Sequence, residues 1–276
     1  MVKGKATLSK ILIFIVVAFL ALAALLPLYW MVATAIQQPT LTMEFPPEWI
    51  PSNPTLDNFR RFFARPYVWN WTINSAIVAV SVTALQVLLA ALAGYTFAKK
   101  KFFGDKFLFW LYVGSMMVPA QVTLVPLYLL MSKLKFLDTY QGLIAPGLAG
   151  PFGVFLMKQH ISTLPTELLD AARIDGCSEW AIFQKVVLPL SKPGLAVLAI
   201  FTFVGQWNGF LWPLIVTNSS SMRTLPVGLT LLQEEVPMQF ALLMAGATYA
   251  AVPMMIVFLA FQRYFLEGVT VGALKG

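Results

Sequence analysis

Residues able to do chemistry are few in this chain and fall into two groups. The first is a polar stretch, Ser162 to Pro193 (STLPTELLDAARIDGCSEWAIFQKVVLPLSKP), which holds more ionisable side chains than any other insert and lies between long apolar runs. The second is a scatter of uncharged polar residues inside apolar runs: Asn74, Thr83, Gln86, Gln121, Thr123, Gln206 and Asn208. Neither group makes a catalytic centre. His160 is the only histidine, Cys177 the only cysteine, and neither H-E-x-x-H nor G-x-S-x-G occurs, so metal-assisted hydrolysis and acyl transfer have no constellation to stand on. One cysteine excludes an internal disulfide and a multi-cysteine metal site. Cys177 reads as a small filler and His160 as a structural residue at the end of an apolar run. A phosphate loop is missing too, because Gly4-Lys5-Ala6-Thr7 lacks the upstream glycine and the strand-to-helix setting.

Two readings stand side by side for the polar residues in apolar runs. Each can make an interhelical hydrogen bond, about 0.6–2 kcal/mol in model systems, or border a polar path. The candidates for a path are Gln206, Trp207 and Asn208, within QWNGFLW (206–212), together with Gln121. Amides and indole N–H groups bond hydroxyls, and aromatic faces stack on apolar rings. Trp207 and Trp212 read equally as packing or interface residues.

The elements that must position these residues follow from composition. Of 276 residues, 59% are hydrophobic and 11% charged, against roughly 45–50% and about 25% in a soluble domain. An all-α polytopic membrane protein is predicted, with about six helical spans at about 20 apolar residues each. The apolar runs are continuous and lack the alternation of a transmembrane barrel. The spans fall near Ile11–Ala35, Thr72–Phe97, Phe107–Met131, Gln141–Met157, Gly194–Thr217 and Met238–Phe261. The first has a basic, signal-like approach, but its apolar run continues past the cleavage-like Ala21-Leu22-Ala23, so it reads as an uncleaved span. Pro119 and Pro126 predict kinks or a break in the third. Gly147, Gly150, Pro151 and Gly153 predict tight packing or local irregularity in the fourth.

Net charge is +7, yet Lys and Arg are spread between apolar runs with no aromatic-studded basic groove, which argues against nucleic acid. Their placement reports sidedness instead. Thirteen of the nineteen, Lys99, Lys100, Lys101 and Lys106 among them, fall in segments assigned to one face, which the positive-inside rule makes cytoplasmic along with both termini. The predicted organisation is a cytoplasmic N-terminus (1–10), a transmembrane domain (11–266) interrupted by the cytoplasmic insert (162–193), and a cytoplasmic tail (267–276). No Asp, Glu, Lys, Arg or His lies within the spans, which counts against a proton pump or ion-coupled carrier; an ion-coupled carrier or passive channel is the rival reading from another class.

Within the insert, Pro165 or Thr166 opens a helix with Glu167 in its first turn. Leu168, Leu169, Ala172 and Ile174 put apolar bulk on one side, with Glu167, Asp170 and Arg173 on the other. Asp175-Gly176 supplies a left-handed stop. Ser178 caps a second helix, Glu179 to Val187, which Leu188-Pro189 is expected to end. Small Ala171 and Ala172 let another surface approach closely, and the carboxylates supply register against a basic partner. A helix lying on lipid is the other reading, against which Asp170 and Asp175 would be repelled by an anionic leaflet.

The segment DAARIDG, followed at the right spacing by VVLP, resembles the EAA motif of bacterial ABC importer permeases, E-A-A-x-x-x-G-x(9)-I-x-L-P. Ala171, Ala172, Gly176, Leu188 and Pro189 match it, with Asp170 in place of Glu and Val186 in place of Ile. LDNFRRFF (56–63), WNGFLWPLIVT (207–217), RTLPVGL (223–229) and the terminal GALKG resemble the carbohydrate-importer branch, similar to the permeases of maltose importers. The resemblance implies a transport subunit with no enzyme activity and no cofactor of its own, moving a sugar or related polyol by alternating access, or another small polar solute such as a glycerol-phosphate. It implies a coupling helix between the fourth and fifth spans, seated in a cytoplasmic ATPase that uses ATP and Mg²⁺. Asp170, Ala171, Ala172, Asp175, Gly176, Leu188 and Pro189 would form the coupling surface. It further implies a second, homologous permease, an ATPase dimer and an extracytoplasmic solute-binding protein met by residues 218–237, with the tail 268–276 near the ATPase.

Overall fold

The computed structural model describes residues 2–39, 48–235 and 239–273, and side chains within 10–39, 48–234 and 239–262. The expected start of the sixth span at Met238, the expected loop end at Pro237 and the last three residues of the expected tail lie outside the described residues. Among the described residues the regular structure is helical, with no strand. In hydrocarbon every backbone donor and acceptor must be satisfied within the segment, and a helix does this alone.

Three helices among the described residues are long and apolar enough to cross a membrane unaided: α1 (Val2–Ala35), α3 (Val68–Lys99) and α14 (Phe240–Ala273). Three further spans come as bent pairs, which brings the number to as many as six. The first pair is α4 (Asp105–Gly114), extended by a 3-10 turn at Ser115–Met117, and α5 (Ala120–Lys133), bent by 101°. Its break falls at Pro119, which forces Val118 into extended backbone (φ −81°, ψ 116°). Pro126 sits inside α5 without ending it. The second pair is α6 (Tyr140–Leu148) and α7 (Pro151–Ser162), bent by 41° at Ala149-Gly150. Thr139 caps α6 by accepting from the Gly142 amide, and Pro151 opens α7 where its missing donor is not needed.

The third pair includes the end of the polar insert. After α8 (Thr166–Ile174) come α9 (Glu179–Ile182), a π segment (Phe183–Val187) and α10 (Leu188–Leu190), then α11 (Lys192–Trp207) at 77° to that run. The expected stop at Leu188-Pro189 is therefore absent, and the chain turns at Ser191. The Leu188 amide reaches back five residues to the Phe183 carbonyl, and this wider turn accommodates the donor that Pro189 lacks. Two short helices lie outside these spans, α2 (Asp57–Phe63), the amphipathic piece expected there, and α12 (Leu211–Val216). In the segment read as a plain external loop, α13 (Leu225–Glu235) forms instead.

The chain divides into two compact units. One takes in the residues up to Val68 with Leu229–Val252, the other Trp69–Gly228 with the residues from Pro253 onward. In the first unit, buried Asn58 donates to the carbonyls of Ala35 and Gln37 at 3.0 and 2.7 Å, fastening α2 to the end of α1. Phe62 and Phe63 pack against Tyr249. None of the most apolar stretch of α1 is buried within the chain, as expected of a helix that faces lipid. In the second unit, Ala90, Ala91, Tyr95, Met157, Ile161, Leu169, Phe183, Val187 and Leu198 form one buried cluster from α3, α7, α8, the π segment and α11.

Candidate functional site

The polar insert is built around a short helix with two unlike faces. Leu169 is fully buried in the cluster, and Ala172 packs against it. Ile174, at 87% exposure, and Leu168, at 45%, face outward together with Ala171. The expectation that all four apolar residues share one side is thus corrected: two face the core and two are exposed. Gly176, at φ +77°, ends the helix in the left-handed region. Its amide bonds the Arg173 carbonyl and that of Cys177 bonds Ala172, both at 3.0 Å. This pattern closes the helix, and Cys177 then packs on the same cluster as Ala172.

The candidate coupling residues divide in the same way. Asp170, Ala171, Asp175, Gly176 and Pro189 are exposed, whereas Ala172 and Leu188 pack against the core. Asp170 forms an ion pair with Arg173 at 2.6 Å. Arg173 Nε donates to Glu179 at 3.2 Å, which in turn accepts from the Tyr95 hydroxyl at 2.8 Å and pairs with Lys100. Next to this, Lys99 Nζ donates to the Leu164 carbonyl at 2.6 Å and to Thr166 at 3.3 Å. Hydrogen bonds from Lys100, Tyr95 and Arg173 outweigh burial and hold the Glu179 carboxyl down to about 2. Exposed ion pairs of this kind contribute little each to stability. Their importance is positional: they clamp the end of α3 to the insert on both sides of α8. Sequence reasoning placed Lys99 and Lys100 by charge count and missed Glu179. The available signal was its place directly after the capping Ser178, whose hydroxyl accepts from the Ala181 amide.

Above the clamp, α3 packs closely on the fourth span. Val82, Gln86 and Ala90 lie against Gly147, Gly150 and Gly153, and Gly94 lies against Met157. A Cβ at Gly150 would overlap the Gln86 amide, and one at Gly94 would lie 2.7 Å from that of Met157. Successive residues four apart on α3 thus meet residues three or four apart on the bent span, with a glycine at every crossing point. Beside this contact, α3, α4 and the Ala149-Gly150 bend line an open cavity of 860 Å³. Its walls are mainly apolar, with Gln86, Tyr112 and Ser115 as polar members.

The candidate path residues lie elsewhere. Gln206 is half-buried beside Gly147, and Trp207 is buried with its ring stacked on Phe203 at 6.0 Å. Asn208 is exposed and donates to the Val204 carbonyl and the Met254 sulfur. Gln121 is exposed on α5. None of these four lines the cavity. Trp212 donates to the Gly142 carbonyl at 2.9 Å. His160 packs against Gly194 where α11 begins.

The opposite end of α3 is also fastened. Trp71 donates to the Ser220 carbonyl, Asn74 to those of Ser221 and Arg223, and the Ser75 hydroxyl accepts from the Leu225 amide at 2.8 Å. Asp138, at φ 57°, accepts from the amides of Asn218 and Ser219 at 2.9 and 3.1 Å. Burial raises its carboxyl, but the Ser219 side chain, these two amides and Arg223 together more than offset that and hold it below the usual range.

The family model of the binding-protein-dependent transport system inner membrane component matches residues 86–271. The arabinooligosaccharides transport system permease protein AraQ of Halalkalibacterium halodurans is 40% identical over 266 residues, 94% of each chain. The maltodextrin transport system permease protein MdxG of Bacillus subtilis is 33% identical over 275 residues, 98% of this chain and 97% of its own. The sn-glycerol-3-phosphate transport system permease protein UgpE of Salmonella choleraesuis is 32% identical over 253 residues, 88% and 90% of the two chains. A solved chain from a bacterial ABC transporter that imports the acidic polysaccharide alginate superposes with a TM-score of 0.82 at 21% identity, covering 94% of this chain and 97% of that one, so the fold is shared. These relatives are transport components rather than enzymes. The chain belongs to the binding-protein-dependent transport system inner membrane components, the permease subunits of ABC importers.

Proposed function

We propose that this permease moves a sugar or oligosaccharide, working beside a second, homologous permease and receiving solute from an extracytoplasmic binding protein. A cytoplasmic ATPase dimer that handles ATP and Mg²⁺ drives the cycle, both termini are cytoplasmic, and the segment from Asp170 to Pro189 is the coupling element. The observation that carries the coupling role is the two-faced helix α8. One face is locked into the core through Leu169, while Ile174 and Leu168 present apolar surface outward in a polar segment. Exposed apolar residues rimmed by charge are the mark of a docking surface. Asp170 is already paired with Arg173, so its contribution to docking is register within a local charge network. The arabinooligosaccharide and maltodextrin relatives support a sugar as cargo.

A glycerol-phosphate permease is the second reading, favoured by the 32% identical relative. A phosphate ester calls for a cation on its route. No Lys or Arg is among the residues lining the cavity beside α3, which favours a neutral solute. The test is reconstitution with the cognate partners in liposomes, supplying arabinotriose, maltotriose or glycerol-3-phosphate. ATP-dependent uptake of a saccharide is expected, and uptake of glycerol-3-phosphate alone would overturn the sugar reading. Ile174→Glu should weaken ATPase binding about tenfold or more, measured by co-purification, because it puts a charge into an apolar contact. Unchanged binding would remove α8 from the docking surface.

A further inference from the structure

We propose that Gln86 marks a solute subsite inside this subunit, where its amide bonds a hydroxyl of the sugar in transit. The proposal rests on the sugar reading above. Gln86 is 9% exposed, lines the 860 Å³ cavity, and its side-chain amide makes no hydrogen bond to any described residue. An amide in an apolar wall is costly unless something bonds it. Gly150 supplies room but no partner, since its missing Cβ is what lets the amide lie against the bend. A lipid chain offers the amide nothing, whereas a hydroxylated solute offers both a donor and an acceptor.

The rest of the cavity fits the same occupant. Its volume lies in the range of about 300–1,000 Å³ typical of small-molecule sites. Phe97 and Tyr112 present aromatic surface to the C–H faces of a sugar ring. The Ser115 hydroxyl donates to the Tyr112 carbonyl and keeps its lone pairs for a second contact. So few polar partners suit a site that must release its occupant, because conduction needs binding that is weak enough to leave.

The position of Gln86 also ties the subsite to the drive. Tyr95 and Lys99, which clamp the insert, lie on the same helix, and Lys100 directly follows its last residue. Tyr95 is nine residues further along, about 14 Å at 1.5 Å per residue. A shift of the insert is therefore delivered to the cavity wall through a single helix, whose polar residue in that wall is Gln86.

The test uses the complete importer in liposomes, with arabinotriose and maltotriose as probes. Gln86→Leu should lower uptake at saturating binding protein by about tenfold, leave subunit assembly intact and leave ATP hydrolysis stimulated by the binding protein. Gln86→Asn should restore part of the uptake. Wild-type uptake by Gln86→Leu overturns the subsite. A second measurement does not depend on that variant. In a Cys177→Ala background, Ala93→Cys, on the cavity wall, should react with a charged methanethiosulfonate, and turnover with sugar should slow that reaction severalfold. Labelling that sugar does not slow overturns the proposal, as does labelling only by a membrane-soluble maleimide, which would assign the cavity to a lipid chain or a helix of the second permease. If the unsubstituted importer moves neither saccharide, the sugar reading falls and the subsite falls with it. Saccharide uptake unaffected by Gln86→Leu defeats the subsite alone.

Discussion

Glu179 gathers three donors from two different parts of the chain, Lys100 and Tyr95 from the α3 end and Arg173 from α8. Because those donors hold its carboxyl at about 2, below its ordinary value, the linkage has a definite sign. The folded form is favoured fully above the unfolded carboxylate range near 4.5 and loses that advantage as pH falls towards 2. Between pH 5 and 8 the Glu179 carboxyl stays ionised, so uptake should show no titration from this group. Glu179→Gln keeps the shape but removes the charge that Lys100 and Arg173 share. It should reduce sugar uptake per ATP hydrolysed by about two- to tenfold, with assembly retained. Equal coupling in the variant and the parent would reduce the network to surface decoration. Glu179 was present in the sequence as one more charge in a polar segment. What distinguishes it is contact with Tyr95, 84 residues earlier, and no local pattern encodes such a contact.

At the scale of elements, the pairing of α3 with the fourth span depends on small residues at regular intervals. Without a hydrophobic drive between helices in lipid, close approach of backbones supplies the packing energy. Gly94 is the tightest test, because a side chain there meets the Met157 Cβ at 2.7 Å and the Lys158 backbone amide at 2.9 Å. Backbone cannot move aside as a flexible side-chain tip would. Gly94→Val should destabilise the fold by about 1–3 kcal/mol, read as a lower midpoint of thermal unfolding in detergent. An unchanged midpoint would mean that the two spans separate at little cost. The glycines of the fourth span were legible as a sign of tight packing or irregularity, and both occur. The partner helix was not legible, because glycine spacing identifies a contact face without saying what lies on it. Pro189 shows a different limit: proline ordinarily ends a helix, and only the π segment ahead of it lets this one continue.

At the scale of the molecule, sidedness is the open quantity, and charge predicts it. Lys101 belongs to the basic run between α3 and α4 and is exposed, so Lys101→Cys in the Cys177→Ala background reports its side directly. An impermeant maleimide should label it in inside-out vesicles and not in intact cells; the reverse would invert the topology and remove the insert from the ATPase side. Much of the architecture was settled by the sequence itself. Continuous apolar runs near the length of a bilayer are a physical requirement of spanning, so composition and order alone identify a helical membrane protein with a polar insert. The motif in that insert also identified the family, since it is local in sequence. Tertiary structure decided the rest: which apolar residues of α8 are exposed, the clamp that joins the insert to α3, and the unbonded amide of Gln86 in an apolar cavity. Each of these depends on which distant residue stands opposite. A helix presents all its faces in sequence, and only packing decides which of them meets a neighbour and which remains free.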